Sequence, residues 1–309
     1  SRHLNLIGRN NNIFATFAES FWILAGETKI NPYLSFFLPR AAKYSDDGKN
    51  WRGAYGERLY AYGQLENVVD TFKEEGIFTR RAIISLYMPN RDTKKSLKEK
   101  YNLTSTLDIP CNNLILFFIT PDKKLNMKVV QRSGDIIFGI SHINIFEFSL
   151  LHEMLLHILK LEVDEELMLG IHHHSVTNLH LYDDGQKQAN EILKNKTYQK
   201  LDLVNTDKIY FPSSIDDNKD FFSEIVNQIS QLISSDLSSY EHVENDLKIV
   251  FKNFDVPIEG NLLWGYTEAV LSYVFQEQFD IRMNHSGEWF CAEFNNSIES
   301  NFFKKEKCG

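Results

Sequence analysis

Residues 143–161, INIFEFSLLHEMLLHILKL, constrain this chain more than any other stretch. Ile145, Phe148, Leu151, Leu155, Ile158 and Leu159 keep an i, i+3, i+4 rhythm with a broad apolar stripe, so the spacing predicts a central, mostly buried helix. Strand signals flank it. NLILFFIT and LNMKVVQRS are separated by the turn-like PDKK, and GIHHHSVTNLHLY (170–182) alternates as a strand does. RRAIISLYM (80–88) is rich in β-formers and stops at Pro89.

Around this centre, IFATFAESFWILAG (13–26) has helical spacing with Gly26 as its stop. NWRGAYGERLY (50–60) is expected as a glycine-punctuated aromatic loop, and the lysine-rich NRDTKKSLKEKYNLTSTLD (90–108) as an exposed excursion. Beyond about residue 190 the pattern changes to three helices, in DNKDFFSEIVNQISQLISSDL, SYEHVENDLKIVFKNF and GYTEAVLSYVFQEQF. The expected organisation is a mixed α/β body over 1–190 and a helical C-terminal section over 191–309 packed on it.

The totals set outer bounds. A chain of 309 residues with 43% hydrophobic and 24% charged side chains can bury one large core. A formal net charge of -9 argues against sequence-independent nucleic-acid binding. Cys111, Cys291 and Cys308 show no paired spacing, which suits a reducing cytoplasm. No run reaches the roughly 18 apolar residues of a spanning helix, so no membrane partner is expected. The opening SRHLNLIGRNNNIF lacks Met and reads as domain interior, so native residues are expected upstream.

Candidate chemistry begins at DIPCNNLILFFI, where Cys111 stands at the mouth of an apolar strand. One hairpin later, QRSGD brings Arg132 within reach. A guanidinium there would favour thiolate and lower a pKa of about 8.5 toward neutrality. The adjacent Arg80 and Arg81 suit an anion, but alternation sends them to opposite faces unless the strand begins irregularly. His172 and His174 share a strand face, yet no further ligand lies at metal-binding spacing, so no metal site is expected. Glu19 interrupts an apolar helical stretch, a place for a carboxylate at a boundary or one buried for a purpose.

Taken in order, AESFWILAG, RGAYGERLY, TRRAIIS, IPCNN, QRSGDIIFG, INIFEF and NLHLY resemble the thymidylate synthase family over residues 9 to about 185. The resemblance implies an α/β (α+β) layered fold on a mixed sheet and a two-fold homodimer whose sites borrow arginines across the interface. It implies 5,10-methylenetetrahydrofolate as co-substrate and a pyrimidine nucleoside monophosphate as acceptor. Cys111 would add to C6 of the ring. Arg132 and Ser133, in the Gln131–Arg132–Ser133 run, would hold the phosphate, joined by Arg80 and Arg81 of the partner subunit. Asn144 would read the base edge after one extra residue in GISHIN, with Ser141 or His142 as alternatives at that edge. His180 and Tyr182 would bind the sugar hydroxyl. Asp135 and Gly139 would meet the folate, and Glu19 and Tyr55 would organise water and proton transfers.

The departures from the family pattern carry information. Asn112 replaces a usual histidine, and Asn178 a usual aspartate. LPRAAKYSDDGKN holds no tryptophan before Trp51, and a long helical section stands where a short C-terminal tail is usual. A wetter site would let water, rather than hydride, reach the C5 methylene. The resemblance therefore leans to a hydroxymethylase acting on CMP, dCMP or dUMP. A thymidylate synthase making dTMP from dUMP is the alternative, and a catalytically silent nucleotide-binding relative a further one.

Overall fold

A computed structural model describes residues 12–195, 209–236 and 239–281. Their elements in chain order are α1 (Ile13–Leu24), α2 (Tyr33–Phe37), α3 (Tyr55–Tyr60), α4 (Gln64–Glu75), β1 (Ile83–Ser85), α5 (Pro89–Asp92), α6 (Lys94–Tyr101), β2 (Asn112–Ile119), β3 (Lys124–Asp135), α7 (Asn144–Glu162), β4 (Met168–His180), α8 (Gln186–Asn195), α9 (Ile215–Ile233), α10 (Tyr240–Asn253) and α11 (Leu262–Phe279), with short 3₁₀ and π turns between.

The sheet is mixed. Its order is β1-β2-β3-β4, with β1/β2 and β2/β3 antiparallel and β3/β4 parallel. The parallel pair requires a crossover, and the long apolar helix expected at 143–161 supplies it as α7. β3 and β4 therefore end at the same edge, while β2 starts there. Asn112 pairs with Gln131, and Asp135 with His180. Three chain segments thus deliver functional side chains to one end of the sheet.

Every residue of α1 is buried, Glu19 included. Asn12 caps the helix by accepting from the Ala15 amide at 3.1 Å. Phe17 stacks on Tyr266 of α11 at 4.7 Å and tilts against Phe146 of α7 at 5.1 Å, and Phe21 meets Phe222 of α9 at 5.5 Å. The three C-terminal helices form as their periodicity predicts, and α9 and α11 close the core around α1. Residue 190 falls inside α8.

Three expectations are corrected. The stretch 50–60 is a loop only in its first half, because Tyr55–Tyr60 is helical. Gly56 permits this: a Cβ there would lie 2.3 Å from the Ile23 carbonyl oxygen of α1. The excursion 90–108 contains α5 and α6, and it turns Asp92 and Asp108 inward. Asp92 is buried against the fully buried Arg58, with Nη1–Oδ2 and Nη2–Oδ1 distances of 2.6 and 2.9 Å. A buried guanidinium needs such a partner. In 80–88 only Ile83–Ser85 is strand, so Arg80 and Arg81 precede it on irregular backbone. Cys291 and Cys308 lie outside the described residues. No described helix is long and apolar enough to cross a membrane.

Candidate active site

Cys111 sits immediately before β2, tied to β3 by the Arg132 amide donating to its carbonyl at 2.8 Å. Arg132 projects to the rim and donates to the Pro110 and Ile109 carbonyls, both at 3.0 Å. Those two bonds hold its Nη2 at 3.7 Å from Cys111 Sγ. The expected neighbours therefore meet, but the expected thiol acidity does not follow. Burial pushes the Cys111 thiol up, and the Arg132 charge offsets this only in part. An exposed guanidinium is screened by water, whereas the half-buried sulfur has lost much of its hydration.

Behind the sulfur lies a buried polar group. The Tyr55 hydroxyl accepts from the Asn112 amide at 3.2 Å, and burial with the nearby Cys111 and Glu147 charges pushes its phenol up. Asn112 itself is wholly buried. Burial, then the charge of Glu147, pushes the Glu19 carboxyl well above its ordinary range. Burial likewise pushes Glu147 up to about 7, against a lowering hydrogen bond from Asn144. Two carboxyls buried within range of one another oppose each other's ionisation, which adds to the effect of burial on Glu19.

Asn144 opens α7 just after a π turn, Gly139–Ile143. A π turn carries one residue more than an α turn, and it absorbs the extra residue of GISHIN. Asn144 is thereby kept at the cavity wall, donating from Nδ2 to Glu147 Oε1 at 2.8 Å. A Cβ at Gly139 would stand 3.1 Å from Asn144 Oδ1, so that position serves the close approach. The side chains of Ser141 and His142 lie outside those described.

Another wall is built at the strand ends. Asp135 Oδ1 accepts from the Ile137 and Phe138 amides at 2.8 and 2.6 Å, and its Oδ2 accepts from the Tyr182 amide at 3.0 Å. Asp135 thus ties the end of β3 to the segment after β4 while facing the cavity. His180 Nδ1 lies 3.3 Å from the Asn178 carbonyl, and the His180 and Tyr182 rings meet edge to face at 4.7 Å.

These groups surround a cavity of about 340 Å³, with Glu19, Tyr55, Cys111, Asn144, His180 and Tyr182 in its walls alongside Gln131, Ser133, Asp135 and Gly139. It shares Leu38, Tyr44, Trp51, Phe138, Ile143 and Tyr182 with a second cavity of about 700 Å³ that also contacts Arg40 and Lys43. Trp22 and Trp51 both line the first cavity. Indoles thus stand in its wall although LPRAAKYSDDGKN supplies none.

Arg80 and Arg81 are the candidates that one chain does not bring to this cavity. Both are exposed, and Arg81 Nη1 pairs with Glu75 Oε1 at 2.8 Å. His172 and His174 share a face as alternation predicts, and no group of three metal-binding side chains occurs among the described residues. Sequence reading missed Glu147 and the second cavity. The signal for Glu147 was the one that flagged Glu19, a carboxylate inside an apolar helix.

Comparison with known proteins places this geometry. The backbone matches thermostable thymidylate synthase A of Bacillus subtilis with a TM-score of 0.51 over 70% of this chain and 72% of that one, at 16% identity, a likeness of fold. The thymidylate synthase family model matches residues 8–219. The chain belongs to the thymidylate synthase family. It is 37% identical to the deoxyuridylate hydroxymethyltransferase of Delftia phage PhiW-14 over 91% of this chain and 76% of that protein. It is 32% identical to the protein of the same name from Bacillus phage SP01, over 61% of this chain and 49% of that one. The thymidylate synthase of Mycoplasma genitalium is 30% identical over 55% of this chain and 51% of its own length.

Proposed function

We propose that this protein is a folate-dependent one-carbon transferase that converts dUMP to its 5-hydroxymethyl derivative. The observation that carries the reading is Cys111 Sγ at the wall of a nucleotide-sized cavity, 3.7 Å from Arg132, with Glu19, Tyr55 and Asn144 in the facing walls. Relatives named for deoxyuridylate hydroxymethylation favour this product over dTMP and favour a uracil base on deoxyribose.

In this reading Arg132 and Ser133 bind the phosphate, and His180 with Tyr182 binds the 3′ hydroxyl. Asn144 faces the N3–C4 edge. Its carboxamide offers a donor to O4 and an acceptor to N3–H. The adjoining cavity suits 5,10-methylenetetrahydrofolate: its aromatic walls fit a flat ring system, and Arg40 and Lys43 fit a carboxylate tail. Phe138 lines both cavities, and Asp135 and Gly139 would meet the folate from the first. The folate supplies a carbon at the oxidation level of formaldehyde.

Cys111 must ionise first, and the Arg132 guanidinium 3.7 Å from the sulfur favours the thiolate against the cost of burial. The thiolate adds to C6 and makes C5 nucleophilic. After C5 has gained the carbon and lost its proton, tetrahydrofolate leaves from that carbon to give the exocyclic methylene, and a carboxylate at Glu19, assisted by Tyr55, takes a proton from the water that adds to it. Departure of Cys111 restores the ring. The sum is dUMP, methylenetetrahydrofolate and water giving hydroxymethyl-dUMP and tetrahydrofolate, with no net oxidation.

The active unit in this reading is a homodimer. Arg80 and Arg81 would reach the phosphate of the partner's site, and the sheet face bearing Ile83, Phe118, Ile171 and Leu179 would be covered. Ile171 and Leu179 are 61% and 53% exposed in one chain, a liability for an unpaired sheet. The helical section after residue 190 backs α1 and so supports Glu19.

Incubation of the enzyme with methylenetetrahydrofolate and each of dUMP, UMP, dCMP and CMP, with mass detection, tests the proposal. It predicts gain of CH2O on dUMP without dihydrofolate. Gain of CH2 with dihydrofolate would identify a thymidylate synthase instead.

A further inference from the structure

Two sequence features have no part in the chemistry above: the histidine run at 172–174 and the acid of INIFEF. The fold joins them through Gln131. His172 Nε2 lies 3.3 Å from His174 Nδ1, and His174 Nε2 lies 2.7 Å from Gln131 Oε1. Gln131 Nε2 donates to the Ser133 carbonyl at 2.7 Å and to Asn144 Oδ1 at 3.3 Å. Asn144 Nδ2 completes the line on Glu147 Oε1 at 2.8 Å. Gln131 and Glu147 are 1% and 3% exposed, so water does not compete for these bonds.

The line has a direction. The Ser133 carbonyl only accepts, so Gln131 turns Nε2 toward it and toward Asn144, and Oε1 toward His174, and donors run from His172 through His174, Gln131 and Asn144 to Glu147. Burial holds the His172 and His174 imidazoles down to about 3 and about 4, which leaves each ring one N–H and one bare nitrogen, as the line requires. Turning the Asn144 amide over would set its Nδ2 against Gln131 Nε2 and its Oδ1 against Glu147, two like-to-like contacts in a dry site.

We infer that Glu147 and His174 are positioning residues that fix the Asn144 carboxamide and thereby select uracil over cytosine. The inference rests on the proposal that Asn144 faces the base edge. In that pose Nδ2, on the Glu147 side, faces O4, and Oδ1, on the Gln131 side, faces N3. Uracil O4 then accepts from Nδ2, and N3–H donates to Oδ1. Cytosine would oppose its amino group to Nδ2 and its bare N3 to Oδ1.

The test is the ratio of kcat/KM for dUMP to that for dCMP, read by tritium release from C5, together with the Kd of each nucleotide without folate. The full-length Glu147→Gln and His174→Leu variants each lower both ratios by about tenfold or more, since each loosens one end of the line. A purely structural role would lower both nucleotides alike. Equal losses with an unchanged ratio in both variants overturn the inference, and either variant suffices should the other fail to fold. Asn144→Ala separates the two levels: if it too leaves the ratio unchanged, the base-edge assignment falls and the lock falls with it.

Discussion

The candidate site has two unlike halves. At the rim, Cys111, Arg132, His180 and Tyr182 stand at strand ends, with Arg132 and His180 bonded to main-chain carbonyls and Tyr182 open to water. In the interior, Glu19, Tyr55, Gln131, Asn144 and Glu147 are fixed chiefly by one another and by burial. The rim is set by backbone geometry, so its side chains tolerate a changing ligand. The interior is set by proton positions, so its behaviour depends on which carboxyl holds a proton. A one-carbon transfer ending in water addition needs both. In the proposed function the rim would bind the charged substrate, and the interior would supply the base from a carboxyl that burial has raised.

The largest effect separating the halves is expected at Glu19. Glu19→Gln removes the interior base and lowers turnover by about 10²–10⁴-fold, the usual range for a general base, with dUMP affinity nearly unchanged. The sign of the pH dependence follows from the raised carboxyls. Protonation of the raised Glu19 carboxyl removes the base, so kcat falls toward acid at a higher pH than an ordinary carboxylate would give. Glu19→Gln should abolish that acid limb. Retention of the limb would move the base elsewhere.

A smaller effect is expected at the rim's borrowed half. Arg81→Ala raises KM for dUMP by roughly 10- to 100-fold, the scale of one lost charge-assisted bond, while kcat changes little. Mixing Arg81→Ala with Cys111→Ser protomers should restore turnover at low dUMP, with the wild-type KM, because a mixed dimer contains one site with both groups intact. Failure of mixing to recover activity would place Arg81 in its own chain's site or outside any site.

The two halves were also unequally legible in the sequence. Cys111 and Arg132 were readable because a hairpin of known length places them together, and α1, α7 and β4 because their periods are clean. The sign of the Cys111 shift was not readable, since burial is a property of the folded cavity and outweighs the one charge that the sequence put nearby. The His174–Gln131–Asn144–Glu147 line was also hidden. Its members come from β4, β3 and α7, and only the parallel register of β3 with β4 brings His174 to Gln131. The helix at Tyr55–Tyr60 was missed for a local reason, because glycines read as loop signals and Gly56 serves close packing instead.

The central claim is that Cys111 bonds to C6 of the pyrimidine. Intact-protein mass spectrometry after incubation with methylenetetrahydrofolate and 5-fluoro-dUMP, whose fluorine cannot leave C5 as a proton does, tests it most directly. The account predicts an adduct containing both nucleotide and folate, mapped to Cys111 and absent in Cys111→Ser. An adduct-free protein that still releases tritium from C5 of dUMP, or undiminished turnover by Cys111→Ser, would contradict it.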